Sequence, residues 1–423
     1  MTPTQIGLDF LVADEPVVQL GDTVAIDTSF PEESANALAH IESFNKHLFR
    51  PNTYLHKRWA RRSGTTFWHI LKQLVPDPAR RDYYFPGGLE GVTVLDPMMG
   101  GGTILHEAIR PGADVIGFDI DPIPVLQAKA SLSDVPLSEK EKVFRAFRSE
   151  LVKRMLKYYV TACPECGGAA EIQFTLYGQR KLGPDCEVLV ADSLALREEP
   201  DGTEKNIRTT YPSLEFSIDG RSWPIVEKDE ANKNGVNRKP SDILSNTFAE
   251  RYVPLVIAGH CETHKGFLKK IDPADNMNIS AAARWVKRNA HFTDADFQIP
   301  DGPKSGDLLN REIKHFYELF FPRQLAYIVH SQELFRAIPD EHRLWLSMLM
   351  STSLEFNSAL CGYKGAAKRR PGAIRHVFAH HAYALPYTAL ENNPTFSRST
   401  SGTLNTLFES RIAAAGEWAR KPI

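Results

Sequence analysis

The chain has 423 residues, of which 42% are hydrophobic and 24% charged, the composition of an ordinary globular protein. This composition excludes a disordered, collagen-like or disulfide-stapled chain, and the length predicts about two to three domains. The formal net charge of −2 excludes a polycation that binds nucleic acid through bulk charge. Any such binding must come from local basic patches.

Two negative features restrict the cellular setting. No apolar run of about 18 residues is present, and the N-terminus lacks the basic-then-apolar pattern of a secretory signal. We therefore expect a cytoplasmic protein with no membrane partner. The 5 cysteines are an odd number in a long chain, which argues against a disulfide framework and leaves metal binding or burial.

The first chemical signal is a stretch without acidic residues, 43–76, in which basic and aromatic side chains alternate. Such a mixture suits a nucleic-acid backbone with stacked bases, but a partly buried helix with arginines reaching solvent has the same pattern. Both interpretations stay open. The candidates for DNA contact are Lys57, Arg58, Arg61 and Arg62.

A second signal lies between residues 91 and 122. A β-branched run, 91–96, ends at a glycine-rich turn, a helical segment follows at 104–110, and a second apolar run ends in Asp119. This order predicts one β-α-β unit of a doubly wound sheet.

The glycine turn predicts a nucleotide-type ligand. Glycines let a ligand approach the backbone, and Asp119 is placed to accept hydrogen bonds from both ribose hydroxyls. The glycine spacing fits neither a dinucleotide fingerprint nor a phosphate cradle. Asp96, directly before the turn, would repel a pyrophosphate but suits the cationic amino-acid end of S-adenosylmethionine. The alternative is a tight turn without a ligand.

These residues resemble a known family. Asp96 to Thr103 resembles the D-P-F-x-G-x-G-T cofactor motif of amino-methylating DNA methyltransferases, and Gly117 to Pro122 resembles their following G-x-D-x-[ND]-P. Further segments resemble one branch, the zinc-ribbon-containing adenine-specific DNA methylases. They are 54–62 (L-H-x-W-W-A-R-R), 321–325 (F-T-P-R-Q-L) and, more weakly, 391–394 with 401–403.

The resemblance implies an α/β fold with a Rossmann-like class I methyltransferase sheet, a zinc-ribbon insertion and a helical region. It divides the chain into a cofactor-binding α/β region (1–160), a zinc-ribbon-like insertion (161–270) and a helical return to the core (271–423). The residues that it implies for S-adenosylmethionine binding are Asp96, Pro97, Met98, Gly100, Gly101, Gly102, Thr103, Asp119 and Ile120.

The chain departs from this family at the catalytic motif. In the family a [DNS]-P-P-[YFW] tetrapeptide holds the target amine and stacks on the flipped base. No Pro-Pro dipeptide occurs in this chain. The weak candidate is Asn393-Pro394-Thr395-Phe396, for which an ordinary Asn-Pro turn is the favoured interpretation. We expect no catalytic residue in this chain, and an isolated chain that is inactive.

Three explanations follow: a split methyltransferase, a chain that has lost catalysis, or an engineered fragment. We favour the split enzyme, a heterodimer in which a second subunit carries [DNS]-P-P-[YFW] and completes the sheet, working in restriction-modification or phage defence. The alternatives are a catalytically inactive DNA-binding or scaffolding component of a defence system and an RNA methyltransferase subunit.

A metal site is predicted by two pairs of residues with the same spacing, Cys163-x-x-Cys166 and Cys261-x-x-His264. Together they fit a tetrahedral site for a structural Zn²⁺, which has no open position for catalysis. The long separation of the pairs exceeds the usual spacings of zinc sites.

Three other residues bear on this assignment. Cys186 or His260 is an alternative ligand, and Cys361 has no neighbour in the sequence and is expected to be buried.

A second stretch without acidic residues, 356–390, contains the DNA-contact candidates Lys368, Arg369 and Arg370 and the histidines 376, 380 and 381. Methyl transfer to an exocyclic amine needs no metal and no strong base, so phosphate contact is the better functional interpretation. Packing against a partner is the alternative.

Between these sites, residues 138–141 have the pattern of a capping box ahead of an amphipathic helix. Its predicted core-facing side chains are Phe144, Phe147, Leu151, Met155 and Tyr158.

Overall fold

The computed structural model describes Ile26 and residues 28–44, 55–56, 62–182, 187–191, 195–198, 204–206, 215–218, 221–227, 251–292, 294–363, 374–377, 383 and 385–420. The chain forms two compact units. The first comprises Met1–Thr53, Arg58–Ala128 and Ala419–Ile423, and the second comprises Tyr54–Lys57 and Lys129–Trp418. The predicted boundaries at 160 and 270 both fall within the second unit. None of the helices in the described ranges is long and apolar enough to cross a membrane.

The first unit contains a parallel pair of strands joined by a helix. Its elements are α1 (Glu32–Phe44), α2 (Gly64–Gln73), β1 (Thr93–Asp96), α3 (Thr103–Ile109), β2 (Asp114–Gly117) and most of α4 (Pro122–Ser131). β1 and β2 pair in parallel, with Leu95 opposite Ile116. The predicted order of strand, glycine turn, helix and strand is confirmed, although β1 begins later than the run 91–96 and β2 ends before Asp119.

The two faces of this strand pair differ. Val94 and Val115 pack against a buried cluster of Leu71, Val75, Leu89, Ala108 and Ala113, to which α2 and α3 contribute. On the opposite face Leu95, Ile116 and Phe118 are 59%, 48% and 60% exposed. Parallel strands normally have both faces covered, so one side of this pair is apolar and bare among the residues described.

An acidic residue closes the N-terminus of α2. The Ser63 hydroxyl accepts a hydrogen bond from Thr66 N, and the buried Glu42 carboxylate accepts from the backbone N–H groups of Gly64 and Thr65 at 3.2 and 2.9 Å. Free N–H groups and the helix dipole make a helix N-terminus attractive to anions. In α2 this position is filled from within the protein.

The second unit combines helices with an extended sheet, so the chain has a mixed α/β fold. Its helices are α5 (Leu137–Met155), α6 (Pro273–Asn289), α7 (Asp294–Phe297), α8 (Gly306–Leu309), α9 (Pro322–Phe335), α10 (Asp340–Ser353), α11 (Leu404–Leu407) and α12 (Ala414–Arg420), with a π-helical turn at Phe408–Ala413.

The strands of the second unit are β3 (Val160–Ala162), β4 (Ala169–Leu182), β5 (Glu187–Ala191), β6 (Ala195–Glu198), β7 (Glu204–Asn206), β8 (Glu215–Ile218), β9 (Arg221–Glu227), β10 (Tyr252–Cys261), β11 (Lys265–Lys270), β12 (Gly362–Tyr363), β13 (Ile374–Arg375) and β14 (Thr388–Asn392). β4 is central, because it pairs antiparallel with β3, β5, β10 and β14. β5 and β9 are parallel, and β6 and β7 form a separate ribbon.

The helix α5 begins before its predicted start. Its N-cap is Pro136, which makes no side-chain capping bond, and Ser138 already lies inside the first turn. The predicted capping box at 138–141 is therefore wrong. The fixed φ of Pro136 suits the start of a helix, so α5 begins before Ser138. The predicted apolar face is confirmed for Phe144, Phe147, Leu151 and Met155, which are buried. Tyr158 is also buried, but it lies in a 3-10 turn, Leu156–Tyr158, that follows α5.

A fully buried ion pair joins a helix of the second unit to its sheet. Arg323 in α9 and Glu391 in β14 have 0% side-chain exposure. Their contact is bidentate, with Nη2–Oε2 at 2.6 Å and Nε–Oε1 at 3.1 Å. Arg323 also donates to Thr175 Oγ1 at 2.7 Å and to the carbonyl of Tyr158 at 3.2 Å. The Tyr177 hydroxyl donates to Glu391, so both charges are well supplied with partners.

The surroundings keep the Tyr177 hydroxyl of this network protonated. Burial and the Glu391 carboxylate raise the pKa of Tyr177 well above its ordinary value, so its hydroxyl remains a donor. Arg323 and Glu391 lie in the two segments, 321–325 and 391–394, that resemble family motifs. The structure gives these segments a role in holding the fold together.

Breaking this pair should destabilise the second unit strongly. Arg323→Met leaves a buried, unpaired carboxylate, and we expect a loss of about 3–5 kcal/mol in the free energy of unfolding, measured by urea denaturation. The double variant Arg323→Met/Glu391→Leu removes both charges and should lose much less. A double variant as unstable as the single one would show that packing, rather than charge, dominates here.

Candidate functional sites

The glycine turn connects the end of β1 to the start of α3. Met99 N donates to the Phe118 carbonyl and Gly102 N donates to the Met99 carbonyl, both at 2.9 Å. Gly100 and Gly102 have φ values of 53° and 81°, in the left-handed region that favours glycine. A Cβ at Gly100 would meet nothing within 4 Å, so the backbone there borders open space.

Two carboxylates stand at the ends of the parallel strands. Asp119 accepts from Gly100 N at 2.8 Å and from Asp121 N at 2.9 Å, which ties the turn to the end of β2. Asp96 is 6% exposed, and its Oδ1 accepts from Met98 N at 3.1 Å. Its Oδ2 is buried with no hydrogen-bond partner in the described part of the chain. An unpaired buried acceptor costs free energy, which a bound donor or cation would recover.

These groups surround a cavity of about 510 Å³, a size typical of small-molecule sites. Of the nine predicted cofactor-binding residues, all except Gly102 line it. Arg62, which the sequence suggested as a DNA contact, lines it as well. The lining residues are Arg62, Asp96, Pro97, Met98, Met99, Gly100, Gly101, Thr103, Ile104, Asp119 and Ile120.

The weak catalytic candidate is buried inside the second unit. Asn393 Oδ1 accepts from the backbone N–H and the hydroxyl of Thr395 at 3.0 and 2.8 Å, and Asn393 Nδ2 donates to the Ile172 carbonyl at 2.8 Å. Phe396 is 2% exposed, and Arg148 donates to the carbonyls of Thr395 and Phe396. The amide is used within the turn, which favours the interpretation as an Asn-Pro turn.

The two metal-ligand pairs meet because of the register of the sheet. Cys163 and Cys166 lie in the loop between β3 and β4, while Cys261 ends β10 and His264 lies in the turn before β11. β4 and β10 are antiparallel, with His260 opposite Glu171. This brings residues 95 positions apart in the sequence to one end of the sheet.

The four candidate ligand atoms all lie within 4.8 Å of one another. Cys166 Sγ is 3.9 Å from Cys261 Sγ, and His264 Nδ1 is 3.7 and 4.0 Å from the sulfurs of Cys163 and Cys261. A tetrahedral Zn²⁺ with bonds of about 2.3 Å to sulfur and 2.0 Å to nitrogen separates sulfurs by about 3.8 Å and sulfur from nitrogen by about 3.5 Å. The cluster therefore fits a zinc ion, with Nδ1 as the histidine ligand.

Backbone N–H groups prepare the thiols for metal binding. Those of His264 and Thr263 lower the pKa of Cys261 to about 6. Burial raises the pKa of Cys163, but the N–H groups of Cys166 and Glu165, together with hydrogen bonds from the Cys166 and His264 side chains, lower that pKa overall. The Gly168 N–H lowers the pKa of Cys166, but burial and hydrogen bonds with the Cys163 and Cys261 sulfurs raise it overall. Hydrogen bonds to the Cys261 and Cys163 sulfurs raise the pKa of His264. Two of the three thiols, Cys163 and Cys261, thus form thiolates more readily than a free cysteine.

His260 and Cys361 lie outside this cluster. His260 Nε2 is buried without a hydrogen-bond partner in the described ranges, and His260 is not among the four clustered ligands. Cys186 lies outside the described residues. Cys361 is fully buried, as predicted, and burial raises the pKa of its thiol to about 12.

Most of the predicted DNA contacts fall outside the described residues: Lys57, Arg58, Arg61, Lys368, Arg369 and Arg370. The last three belong to the segment 364–373, which connects the antiparallel strands β12 and β13. His380 and His381 are also outside.

His376 lies within a cluster of charged side chains. Its Nδ1 is 3.1 Å from Glu355 Oε1, and Arg411 Nη2 is 3.2 Å from Glu355 Oε2. This environment indicates an ion-pair role for His376.

Sequence reasoning missed two features of these sites. Arg62 was grouped with a basic stretch, and nothing in the spacing shows that it lines the cavity. The contact of the buried Glu42 with α2 was not predicted, because Glu42 lies far from α2 in the sequence. The only available signal was an acceptor side chain directly before the basic stretch.

Comparison with models of known protein families gave no match, and comparisons with curated proteins and with solved structures gave none either.

The metal site makes a direct prediction. Chelator-treated protein should bind one Zn²⁺ per chain, and Cys261→Ser or His264→Ala should weaken binding by at least about tenfold, because a tetrahedral site loses a ligand. Cys361→Ser, outside the cluster, is the control. Competition with a colorimetric chelator measures the affinity, and equal affinities in all variants would exclude this cluster.

The Zn²⁺ affinity measured in this titration should decrease as the pH is lowered. Thiolates and a neutral imidazole bind the metal, so affinity should fall as pH decreases through about 6, the pKa of Cys261. The raised pKa of Cys166 should extend the increase in affinity to higher pH, because that thiol must also lose its proton. The raised pKa of His264 acts in the same sense, since that ring must also lose its proton.

Proposed function

We propose that this chain is the S-adenosylmethionine-binding subunit of a split adenine-specific (N6) DNA methyltransferase, whose catalytic tetrapeptide lies on a partner chain. The observation that carries the proposal is the cavity at the ends of β1 and β2. It joins an open glycine backbone, a buried carboxylate oxygen without a partner and a second carboxylate at the end of the next strand.

The donor set of this cavity suits S-adenosylmethionine. Asp96 would hold the ammonium group of its amino-acid end, and Asp119 would accept hydrogen bonds from the ribose hydroxyls. The open side of Gly100 admits a ligand close to the backbone. When bound, S-adenosylmethionine supplies an activated methyl group. The residues of this chain bind and orient it and provide no base.

The bare face of the strand pair supports a partner chain. Leu95, Ile116 and Phe118 expose a contiguous apolar surface on strands that have no further neighbours among the described residues. A parallel pair of strands is too small to stand alone and needs cover on both faces. A partner that adds strands and helices here would complete a Rossmann-like sheet and bring the tetrapeptide to the cofactor.

Other parts of the proposal follow from the same reasoning. A Zn²⁺ held by the Cys3His cluster would make a zinc-ribbon-like clamp with a structural role. The basic stretches would contact DNA phosphates, which position the duplex without reading its sequence. A cytoplasmic role in restriction-modification or phage defence is part of what the resemblance implies.

A non-catalytic DNA-binding or scaffolding component is the second candidate. The lack of a Pro-Pro dipeptide and the burial of Asn393 favour it over a complete enzyme. Salt-sensitive DNA binding without any affinity for S-adenosylmethionine would select it. Methyl transfer to RNA alone would select an RNA methyltransferase subunit.

Calorimetric titration tests the cofactor assignment. Asp96→Asn and Asp119→Asn keep the shape of each side chain, and each should weaken S-adenosylmethionine binding by at least about tenfold, or about 1.4 kcal/mol. Asp121→Asn is the matched control, because Asp121 adjoins the site but does not line the cavity. Unchanged affinity in both test variants would refute the assignment.

The apolar face gives a separate prediction about the partner. The chain alone should not methylate DNA, and methylation should appear with a co-expressed chain that carries [DNS]-P-P-[YFW]. Ile116→Lys should abolish co-purification and methylation while cofactor binding persists, because a charge on a buried contact is costly. Ile41→Lys, an equally exposed isoleucine on α1, is the control. Methylation by the purified single chain would contradict the split model.

A further inference from the structure

Arg62 occupies an unexpected place at the cofactor cavity. It is the single cation among the described residues that line the cavity, and Asp96 and Asp119 are the anions. The lining therefore carries one more negative than positive group. S-adenosylmethionine has a sulfonium, an ammonium and a carboxylate, and thus one more positive than negative group. Cavity and ligand are complementary in both net charge and kinds of charge.

The Arg62 guanidinium is available for an anion. Its side chain is exposed, and Cζ lies 6.0 Å from the centroid of the Phe67 ring. No carboxylate of the described residues forms an ion pair with it. A planar guanidinium forms two parallel hydrogen bonds with a carboxylate, which gives direction as well as attraction.

A DNA phosphate fits this position less well. The N-terminus of α2 begins two residues after Arg62, and its N–H groups already serve Glu42. A phosphate bound by Arg62 would therefore gain nothing from the helix. Asp96 and Asp119 add further negative charge at the cavity. A zwitterion avoids this repulsion, because its ammonium group faces the acids.

We propose that Arg62 binds the carboxylate of the amino-acid end of S-adenosylmethionine, while Asp96 binds its ammonium group. The inference rests on the proposed function and adds a binding residue that the glycine motif does not contain. The opposite charges of Arg62 and Asp96 thus bind the carboxylate and the ammonium group of the same amino-acid end. The site therefore selects a ligand with an intact α-amino acid over an amine that lacks the carboxylate.

A thermodynamic cycle tests this assignment by calorimetry. The two ligands are S-adenosylmethionine and its decarboxylated form, and the proteins are the full chain and its Arg62→Ala, Arg62→Lys and Arg145→Ala variants. The unsubstituted chain should prefer S-adenosylmethionine by about tenfold or more, as expected for a charge-assisted pair. Arg62→Ala should bind both ligands with equal affinity, and Arg62→Lys should restore part of the preference. Arg145→Ala, an exposed arginine of α5, should retain it fully.

Each other outcome overturns the proposal in a distinguishable way. If Arg62→Ala keeps the full preference, the carboxylate is bound elsewhere. If it keeps the preference and loses salt-sensitive binding of duplex DNA, Arg62 is a phosphate contact. If the unsubstituted chain binds neither ligand, the proposed function fails together with this inference. Urea denaturation of Arg62→Ala should match that of the unsubstituted chain, since an exposed side chain contributes little to folding.

Discussion

The buried pair of Arg323 and Glu391 is the interaction on which the second unit depends. Removing two charges from water is costly, and the cost is met only if each charge finds several hydrogen-bond partners in good geometry. Here those partners come from β4, including Thr175 and Tyr177, and from the carbonyl of Tyr158. A helix, two strands and a loop must therefore assemble together, since any one of them alone would leave a charge unpaired.

β4 connects this ion-pair network to the metal cluster. Its middle residues face the ion pair, and its first residues lie beside the end of β10, where the cysteine and histidine pairs meet. β14, which carries Glu391, runs antiparallel to β4, so that Asn392 lies opposite Phe174 and the buried Asn393 turn follows at the same end. β4 thus supports both the metal cluster and this turn, and its register with the neighbouring strands determines the position of both.

Sequence reasoning succeeded where the signal is local. The glycine turn between two strands, the two ligand pairs and the apolar face of α5 each lie within short segments. The structure has the turn between β1 and α3, and it brings the two ligand pairs together. Sequence reasoning failed where the decisive contact is remote. Arg62 was grouped by neighbouring charges because its cavity forms only after folding. The start of α5 is a local exception, since it was misjudged although Pro136 lies only two residues before Ser138. The buried pairing of Arg323 with Glu391 was not predicted, since nothing in one segment indicates a buried partner in the other.

The metal cluster also affects the segment of chain that connects its two ligand pairs. A metal that joins Cys166 to Cys261 closes a loop of 95 residue steps, as a crosslink does, and such closure reduces the conformational entropy of the unfolded chain. Because the entropy of closing a loop grows only with the logarithm of its length, residues added between β5 and β10 alter this balance little. The clamp would let this intervening segment change in length and sequence over evolution while both ends of the sheet stay in register.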